Sequence, residues 1–495
     1  MDYALLYAGF VTTPARQGHA DAAQRRLHAC LRQAVLQGQL SAGTQLPASR
    51  VLAAELGLAR NTVIHAYNQL ATEGLVHTNR RGTWVQSVAT EPLPRPARAA
   101  LRQDLSQRAL QQHPLPLATE LAGAFAPGVP SLAEFPQAAW RRLQDRVWRE
   151  LGPEPLGYGQ ACGDPHLREA VAEHLRTTRG LRCEAGQVFI TDGTQSGLGL
   201  CAQAFADPGD TVWMENPGYG GALSALRNAQ LQVRGIAVDD EGLAPTAADW
   251  AQAPPRLIYI TPAHQYPTGG VLGLPRRTAL LQQAQHHGAW LIEDDYDSEF
   301  RHDGPPLPAM QGLRPDAPVL YLGTFSKSLF PALRLGYLVV PATVADRLAH
   351  YIEHSRYLGR APEQRVMAEF LRSGLFSQHL RRMRRVYRQR GQWLAQALNT
   401  QLGDLAQVHG AQAGMHLALR FRHPGWDDQA LTRQLLRQGL AAPALSAHRT
   451  DLWTPGAPAQ ADWCGLVLGY AQVPEPALHA GVSTLCRVLR QHVPA

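Results

Sequence analysis

The chain runs to 495 residues, 45% apolar and 18% charged, with 47 basic against 40 acidic residues and a formal net charge of +7. At about 150 residues per domain this is two or three soluble globular domains with ample apolar content for their cores. No apolar run approaches the ~20 residues of a membrane span, and the opening MDYALLYAGFVTTPARQ lacks the basic start and long apolar core of a secretory signal.

The six cysteines (Cys30, Cys162, Cys183, Cys201, Cys464, Cys486) are scattered with no C-x-x-C pair. That argues against a zinc site and a disulfide framework, and the expectation is a cytoplasmic protein with reduced thiols and no membrane role. Charge is uneven: residues 1 to 116 hold 12 arginines against 6 acidic residues, and residues 117 to 495 hold 35 basic against 34 acidic. A basic segment on a near-neutral body points to a nucleic-acid contact confined to the N-terminal part. Finally, 46 of the basic residues are arginine and one, Lys327, is lysine. Either Lys327 is a leftover, or its position needs an amine that can lose a proton and act as a nucleophile, which arginine cannot do.

In chain order, AAQRRLHACLRQAVLQ places Leu27, Leu31, Ala34 and Val35 at helical spacing, and Gly38 follows where a helix would stop. After SAGTQLP, the stretch SRVLAAEL offers Ser49 as an N-cap with Leu52, Ala53 and Leu56 behind it, and Gly57 permits a tight turn. The next helix, ARNTVIHAYNQLATEG, turns Val63, Tyr67 and Leu70 inward and Arg60, Asn61, Thr62 and His65 outward at its start. Two short helices joined by about four residues with a glycine make a helix-turn-helix, whose second helix presents its first turn to base edges. LVHT and TWVQ then flank NRRG, a hairpin with Arg80 and Arg81 at the tip for backbone phosphates. The alternative for all of this is a small helical bundle with a solvated basic edge.

The wording AGTQLPASRVLAAELGLARNTVIHAYNQLATEGLV closely resembles the winged helix of the GntR family of bacterial regulators, over residues 20 to 88. The resemblance implies a contact with double-stranded operator DNA through Arg50, Arg60, Asn61, Thr62, His65, Arg80 and Arg81. It departs at the wing, where RRGTWV stands in for the glycine-rich tip usual in that family, so the wing contact does not carry over. Residues 89 to 117 are rich in Pro, Arg and Gln and read as a linker, with ARAALRQDLSQRALQQ able to form a short helix.

From residue 118 onward short apolar strands alternate with amphipathic helices: QVFIT, DTVWME, RLIYIT, AWLIEDD, VLYLGT and GYLVV. The alternation predicts an α/β fold with a mostly parallel sheet, with ligands collecting at the strand C-termini. Polar motifs follow several of these strands. Asp192, Gly193, Thr194 and Gln195 form a strand–turn–helix corner, an anion cradle or an ordinary connection. WMENPGYGG projects Tyr219, to stack on a planar ring or to fill core. TPAHQYPTGG is a rigid loop with hydrogen-bonding side chains, His264 among them. LIEDDYDSEF sets Asp294, Asp295, Tyr296, Asp297 and Glu299 past a strand, a magnesium site or a solvated acidic turn. Beyond VLYLG come Thr324, Ser326, Lys327 and Arg334.

Together these offer a phosphate cradle, an aromatic stacker, a carboxylate and a reactive amine, the set that pyridoxal 5′-phosphate (PLP) needs. A Walker motif is absent. Residues 118 to 495 resemble the aspartate aminotransferase-like domain of PLP fold type I, and its fusion to a GntR winged helix resembles the MocR subfamily of regulators. The resemblance implies that Lys327 joins the cofactor's aldehyde and Asp294 holds its pyridine nitrogen protonated. Tyr219 would stack on the ring, with Tyr296 near the phenolic oxygen and His264 in the same pocket. Gly193, Thr194, Gln195, Thr324, Ser326 and Arg334 would hold the phosphate, and Tyr158 would reach the phosphate site of a second copy, which implies a homodimer.

Two positions depart from aminotransferases. Tyr266 stands where those enzymes commonly carry an Asn, and Val467 stands where many relatives carry the Arg that clamps a substrate carboxylate. Without that fork an amino acid is held less firmly for turnover. The expected function is a PLP-binding transcriptional regulator with PLP, or a small amine or amino acid joined to it, as effector, acting on vitamin B6 or amino-acid metabolism. The alternative is a working aminotransferase with an autoregulatory DNA-binding domain.

Overall fold

A computed structural model describes residues 1–11, 21–87, 106–110, 123–302, 304, 307–355, 359–450 and 463–494, which fall into two compact units, Met1–Asp104 and Leu105–Ala495. Among the described residues no helix is long and apolar enough to cross a membrane.

The first unit contains helices α1 (Tyr3–Val11), α2 (Asp21–Leu36), α3 (Ser49–Leu56) and α4 (Arg60–Thr72), with strands β1 (Gln45–Leu46), β2 (Val76–Asn79) and β3 (Gly82–Val85). The helical spacing read from the sequence is the buried face: Leu27, Leu31, Leu52, Val63, Tyr67 and Leu70 share one core. Gly57 closes α3 in the left-handed conformation, φ 64°, where its N–H reaches the carbonyls of Ala53 and Ala54, a backbone state that favours glycine. The strands form an antiparallel sheet in the order β1-β3-β2.

Four details differ from expectation. Ser49 is the first residue of α3 rather than its cap; Ala48 holds the cap position with no side-chain bond, and the Ser49 hydroxyl accepts from Arg60 instead. Thr62, expected outward, is buried. Helix α1 is apolar nearly all round, so it carries no helical period to read, and β1 is only two residues long. Neither was foreseen.

Of the expected linker only Ser106 and a single helical turn, α5 (Gln107–Leu110), are described; the rest of residues 89 to 117 lies outside the described residues. The large unit is built on an eight-stranded sheet of β4 (Val188–Thr191), β5 (Thr211–Asn216), β6 (Gln232–Asp239), β7 (Gly242–Leu243), β8 (Leu257–Ile260), β9 (Trp290–Asp295), β10 (Val319–Thr324) and β11 (Gly336–Val339). Their order is β4-β11-β10-β9-β8-β5-β6-β7. Strands β10, β9, β8, β5 and β6 pair in parallel, while β11 runs antiparallel to both β10 and β4.

Successive strand residues fall into different cores. Ile258, Leu291 and Tyr321 belong to one cluster, and Leu257, Ile292 and Leu322 to another. The side-chain period of two therefore buries both faces of the sheet, which is why the strands read as continuous apolar runs. Helices α6 (Gln137–Glu150), α7 (Pro165–Arg179), α8 (Thr194–Phe205), α9 (Gly220–Asn228), α10 (Ala247–Gln252), α11 (Leu274–His286), α12 (Met310–Leu313), α13 (Ala342–Ser355) and α14 (Ala361–Arg372) belong to this layered body. The 28-residue α15 (Leu375–Leu402) leads to a three-stranded antiparallel sheet, β12 (Ala406–His409), β13 (His416–Phe421) and β14 (Gly465–Gly469), with α16 (Asp428–Arg437) and α17 (Glu475–Gln491). This C-terminal sheet was not read from the sequence.

Gly469, at the end of β14, binds the chain segment that leads to Gly128. Its N–H donates to the Phe125 carbonyl at 2.7 Å, and a Cβ at residue 469 would stand 2.2 Å from the Ala126 carbonyl oxygen. Because the clash is with backbone, no side chain can swing aside. Gly469→Ala is expected to lower stability by about 2–3 kcal/mol, read as a lower urea midpoint with an unchanged m-value.

Candidate cofactor site

The C-terminal ends of the parallel strands bring the predicted residues to one side of the sheet. After β10 the chain turns through Ser326 to Lys327, whose Nζ donates to the Gly128 carbonyl at 2.8 Å. Gly128 has φ 73°, and a Cβ there would lie 2.9 Å from Nζ, so a side chain at that position would displace the amine. Burial holds the Lys327 ammonium below its ordinary pKa, opposed by Asp294 and Asp297 and helped by Arg334.

Asp294 sits at the end of β9, fully buried. Its Oδ2 accepts from the Tyr259 hydroxyl at 2.8 Å, and its Oδ1 is buried with no hydrogen-bond partner. Burial is the main reason its pKa rises to about 7. The Tyr259 bond and Lys327 pull it down, while Asp295 and Asp297 push it up. The acidic run is neither a solvated turn nor a single cation cage. Asp294, Asp295 and Asp297 are all buried and have three different partners: Tyr259 for Asp294, Arg179 at 2.7 Å for Asp295, and His264 at 3.0 Å for Asp297.

Tyr219 stands at the start of α9 with its ring folded over Gly221, where a Cβ would come within 2.4 Å of Cζ. Burial pushes its phenol up to about 12. It meets Tyr266 edge-on at 5.8 Å, and Tyr266 in turn touches the rings of Tyr296, His416 and His448. The Tyr296 hydroxyl donates to the His264 carbonyl at 2.8 Å, and His264 packs 4.6 Å from His416. The donor atoms of His264, Asp297 and His416 lie within 4.8 Å of one another, close enough for a small cation, although the His264–Asp297 hydrogen bond already satisfies two of them.

The anion cradle lies at the start of α8. Gly193 precedes it with φ 79°, Thr194 opens it, and Gln195 donates to the Gly221 carbonyl at 2.9 Å while its Oε1 is buried without a partner. Thr324 Oγ1 accepts from the Ser326 N–H at 3.1 Å. Arg334, at φ 49°, donates to the Asp192 carbonyl at 3.2 Å, and its Cζ is 3.6 Å from where a Cβ on Gly193 would be. Free N–H groups at a helix start beside a guanidinium suit a phosphate.

Tyr158 is not buried with this group and is 87% exposed. Val467 packs among Ala418, Leu445 and Trp463. Arg449 lies on the segment whose His448 carbonyl accepts from Gly218 and whose Thr450 N–H donates to Asn216 Oδ1, beside the loop that carries Tyr219. Reasoning from sequence missed Arg449, Gly128, Tyr259 and His416, none of which stands in a motif with the residues it approaches. On the first unit Arg50, Arg60, Asn61, His65, Arg80 and Arg81 are exposed. The wing tip is pinned by Gln45, which donates to the Arg81 carbonyl at 3.1 Å, and by the Arg81 N–H donating to Asn79 Oδ1 at 2.8 Å.

The family model described as bacterial regulatory proteins, gntR family, matches residues 23–85, and that of aminotransferase class I and II matches residues 127–455. A Rhizobium meliloti protein named "Probable rhizopine catabolism regulatory protein MocR" is 36% identical over 468 residues, covering 93% of this chain and 92% of its own. The Corynebacterium glutamicum HTH-type pyridoxine biosynthesis transcriptional regulator PdxR is 35% identical over 423 residues, 84% of this chain and 87% of its own. Among solved structures, the α-aminoadipate aminotransferase LysN of Thermus thermophilus, complexed with N-(5'-phosphopyridoxyl)-L-leucine, superposes with a TM-score of 0.70 at 28% identity, covering 78% of this chain and 97% of its own.

Asp294 makes the site sensitive to pH in a defined direction. Its folded pKa of about 7 lies above the unfolded value of about 3.9, so the native state holds the extra proton, and this group's contribution to stability falls as pH rises from about 4 to about 7. Asp294→Asn escapes that loss. The ligand-free variant is expected to exceed wild type at pH 8 by on the order of 1–3 kcal/mol, with the gap closing toward pH 4, as measured by urea unfolding across pH.

Proposed function

Because the chain belongs to the MocR type of GntR-family transcriptional regulators, a gntR-family segment joined to a class I and II aminotransferase domain, we propose that it binds operator DNA through the first unit and PLP through the second. The effector is PLP itself or an amine joined to it. The observation that carries this reading is the unpartnered, buried Oδ1 of Asp294, on the same side of the sheet as an amine whose pKa is held down. A buried carboxylate oxygen without a donor is costly, and the N–H of a pyridinium is a donor of the right kind.

In this reading Asp294 takes the ring nitrogen, Tyr219 covers the ring, and Tyr296 with His264 stands on the phenolic side. Gly193, Thr194, Gln195, Thr324, Ser326 and Arg334 take the phosphate. The cofactor, when bound, supplies an aldehyde that condenses with a primary amine and a ring that draws electrons. Lys327 provides the amine, and its depressed pKa keeps more of it in the neutral, nucleophilic form near neutral pH. A second copy would bring Tyr158, whose ring is too exposed to serve its own core. We place the DNA-binding domain at residues 20 to 88, a linker at 89 to 117 and the cofactor domain at 118 to 495.

The name of the PdxR relative ties a chain of this design to pyridoxine biosynthesis, which supports PLP as effector. Val467, packed among apolar residues, offers no fork for a substrate carboxylate, which disfavours repeated turnover of an amino acid. Arg50, Arg60, Asn61, His65, Arg80 and Arg81 form the DNA-contacting set; the buried Thr62 acts by packing the helix.

A ligand changes DNA affinity only by binding two states of the protein differently. Lys327→Ala should therefore lose the visible absorbance of bound cofactor and any PLP-dependent change in DNA affinity, while its cofactor-free DNA affinity stays within about twofold of wild type. Fluorescence anisotropy on the chain's own upstream region, with and without PLP, measures both. A PLP effect that persists in the variant would contradict the reading.

A further inference from the structure

The proposed cofactor role leaves unused a charged pair beside the anion cradle, Asp192 with Arg360. Asp192 immediately precedes Gly193 at the mouth of the anion cradle, where a carboxylate is a like charge beside any bound phosphate. Its side chain is 52% exposed. Arg360 pairs with the Asp192 carboxylate and also donates to the carbonyls of Leu333 at 3.0 Å and Arg334 at 2.9 Å. Arg334 closes the ring by donating to the Asp192 carbonyl at 3.2 Å. Both arginines have left-handed backbones, φ 49° and 64°, a conformation non-glycine residues keep only where the surroundings impose it. The end of β4, the β10–β11 turn and the start of α14 are thereby tied together at the phosphate site.

We propose that Asp192 is a built-in anion that weakens the phosphate cradle and that Arg360 is the counter-ion limiting how far. Together they hold cofactor affinity in a range where occupancy follows the free concentration. A site that is always full reports nothing, so this sets the regulation of the same site; the inference rests on the PLP reading. A purely structural tie and an electrostatic weakening predict opposite signs for one variant. If the pair only braces the loops, Asp192→Asn weakens phosphate binding. If Asp192 opposes the phosphate, removing its charge frees Arg360 to attract the ligand and binding tightens.

The test is a PLP titration of the full chain, followed by visible absorbance, for wild type, D192N, R360Q and the double variant, with thermal melts as a check of folding. The expected result is about fivefold tighter binding in D192N, about fivefold weaker in R360Q, a double variant within about threefold of wild type, and smaller differences at ~1 M salt. R360K, which keeps the charge and loses the fork, should fall less than R360Q. Unchanged or weaker binding in D192N overturns the proposal, as does unchanged binding in R360Q. A parallel titration with inorganic phosphate by calorimetry separates the two layers. If wild type takes up no PLP, the cofactor reading fails. The phosphate arm then decides alone, with tighter binding in D192N sustaining the proposal and equal or weaker binding overturning it.

Discussion

A buried carboxylate and a half-buried amine at one end of a buried sheet set the terms for the rest of the large unit. Isolated charges there would be prohibitive, so each is partly answered. Asp294 has the Tyr259 hydroxyl on one oxygen and nothing on the other, and Lys327 has the Gly128 carbonyl. Asp295, one residue along, also keeps one oxygen without a partner, but its other oxygen takes the Arg179 guanidinium and the Tyr321 hydroxyl, so its charge is paired where that of Asp294 meets only a hydroxyl. Neighbours on one strand thus diverge in function because alternate residues face different layers.

Holding such groups requires a frame that does not yield. The sheet is buried on both faces, and its strand ends are fixed by the order β4-β11-β10-β9-β8-β5-β6-β7. Glycines bring backbones closer than side chains would permit at two places that matter here, Gly128 against the amine and Gly469 against Ala126. Since the Gly469 N–H bonds Phe125, the C-terminal sheet helps set where Gly128, and so Lys327, stands. A ligand that altered the position of this sheet would be felt at the amine, a physical route from cofactor occupancy to shape within this unit.

How much was legible in the sequence follows from the range of each interaction. The winged helix was readable because its core repeats at helical spacing within sixty residues, and Asp294, Tyr219 and Lys327 because each sits at or just past the end of an apolar strand that marks its address. What was missed is nonlocal or patternless. Gly128 lies 199 residues from Lys327, His416 opens a strand whose partner β14 begins only at Gly465, and α1 is too uniformly apolar to show a period. Ser49 and Thr62 failed differently. Their residue types suit a cap and a contact surface, but helix register decided otherwise, placing Ser49 inside the first turn and Thr62 against the core. Arg449 was missed because only the fold brings its segment beside the loop that carries Tyr219.

The single lysine among 47 basic residues can now be set against what the arginines do. Arg277, 2% exposed, donates to the carbonyls of Leu272, Pro308 and Pro262. Arg360 and Arg334 hold loops through carbonyl oxygens in the same way. A planar fork of five donors that stays protonated is well suited to tying backbone together, and a chain rich in arginine can spend it freely on structure. None of those positions needs a base. Position 327 is different in kind. Burial pushes its charge state toward neutrality while Asp294 and Asp297 pull it back, a balance only an ammonium can register, because a guanidinium stays charged under either influence. The composition and the proposed site therefore agree for one reason: where a cation serves as scaffold, arginine does the work, and at the position whose proposed role requires giving up a proton, lysine remains.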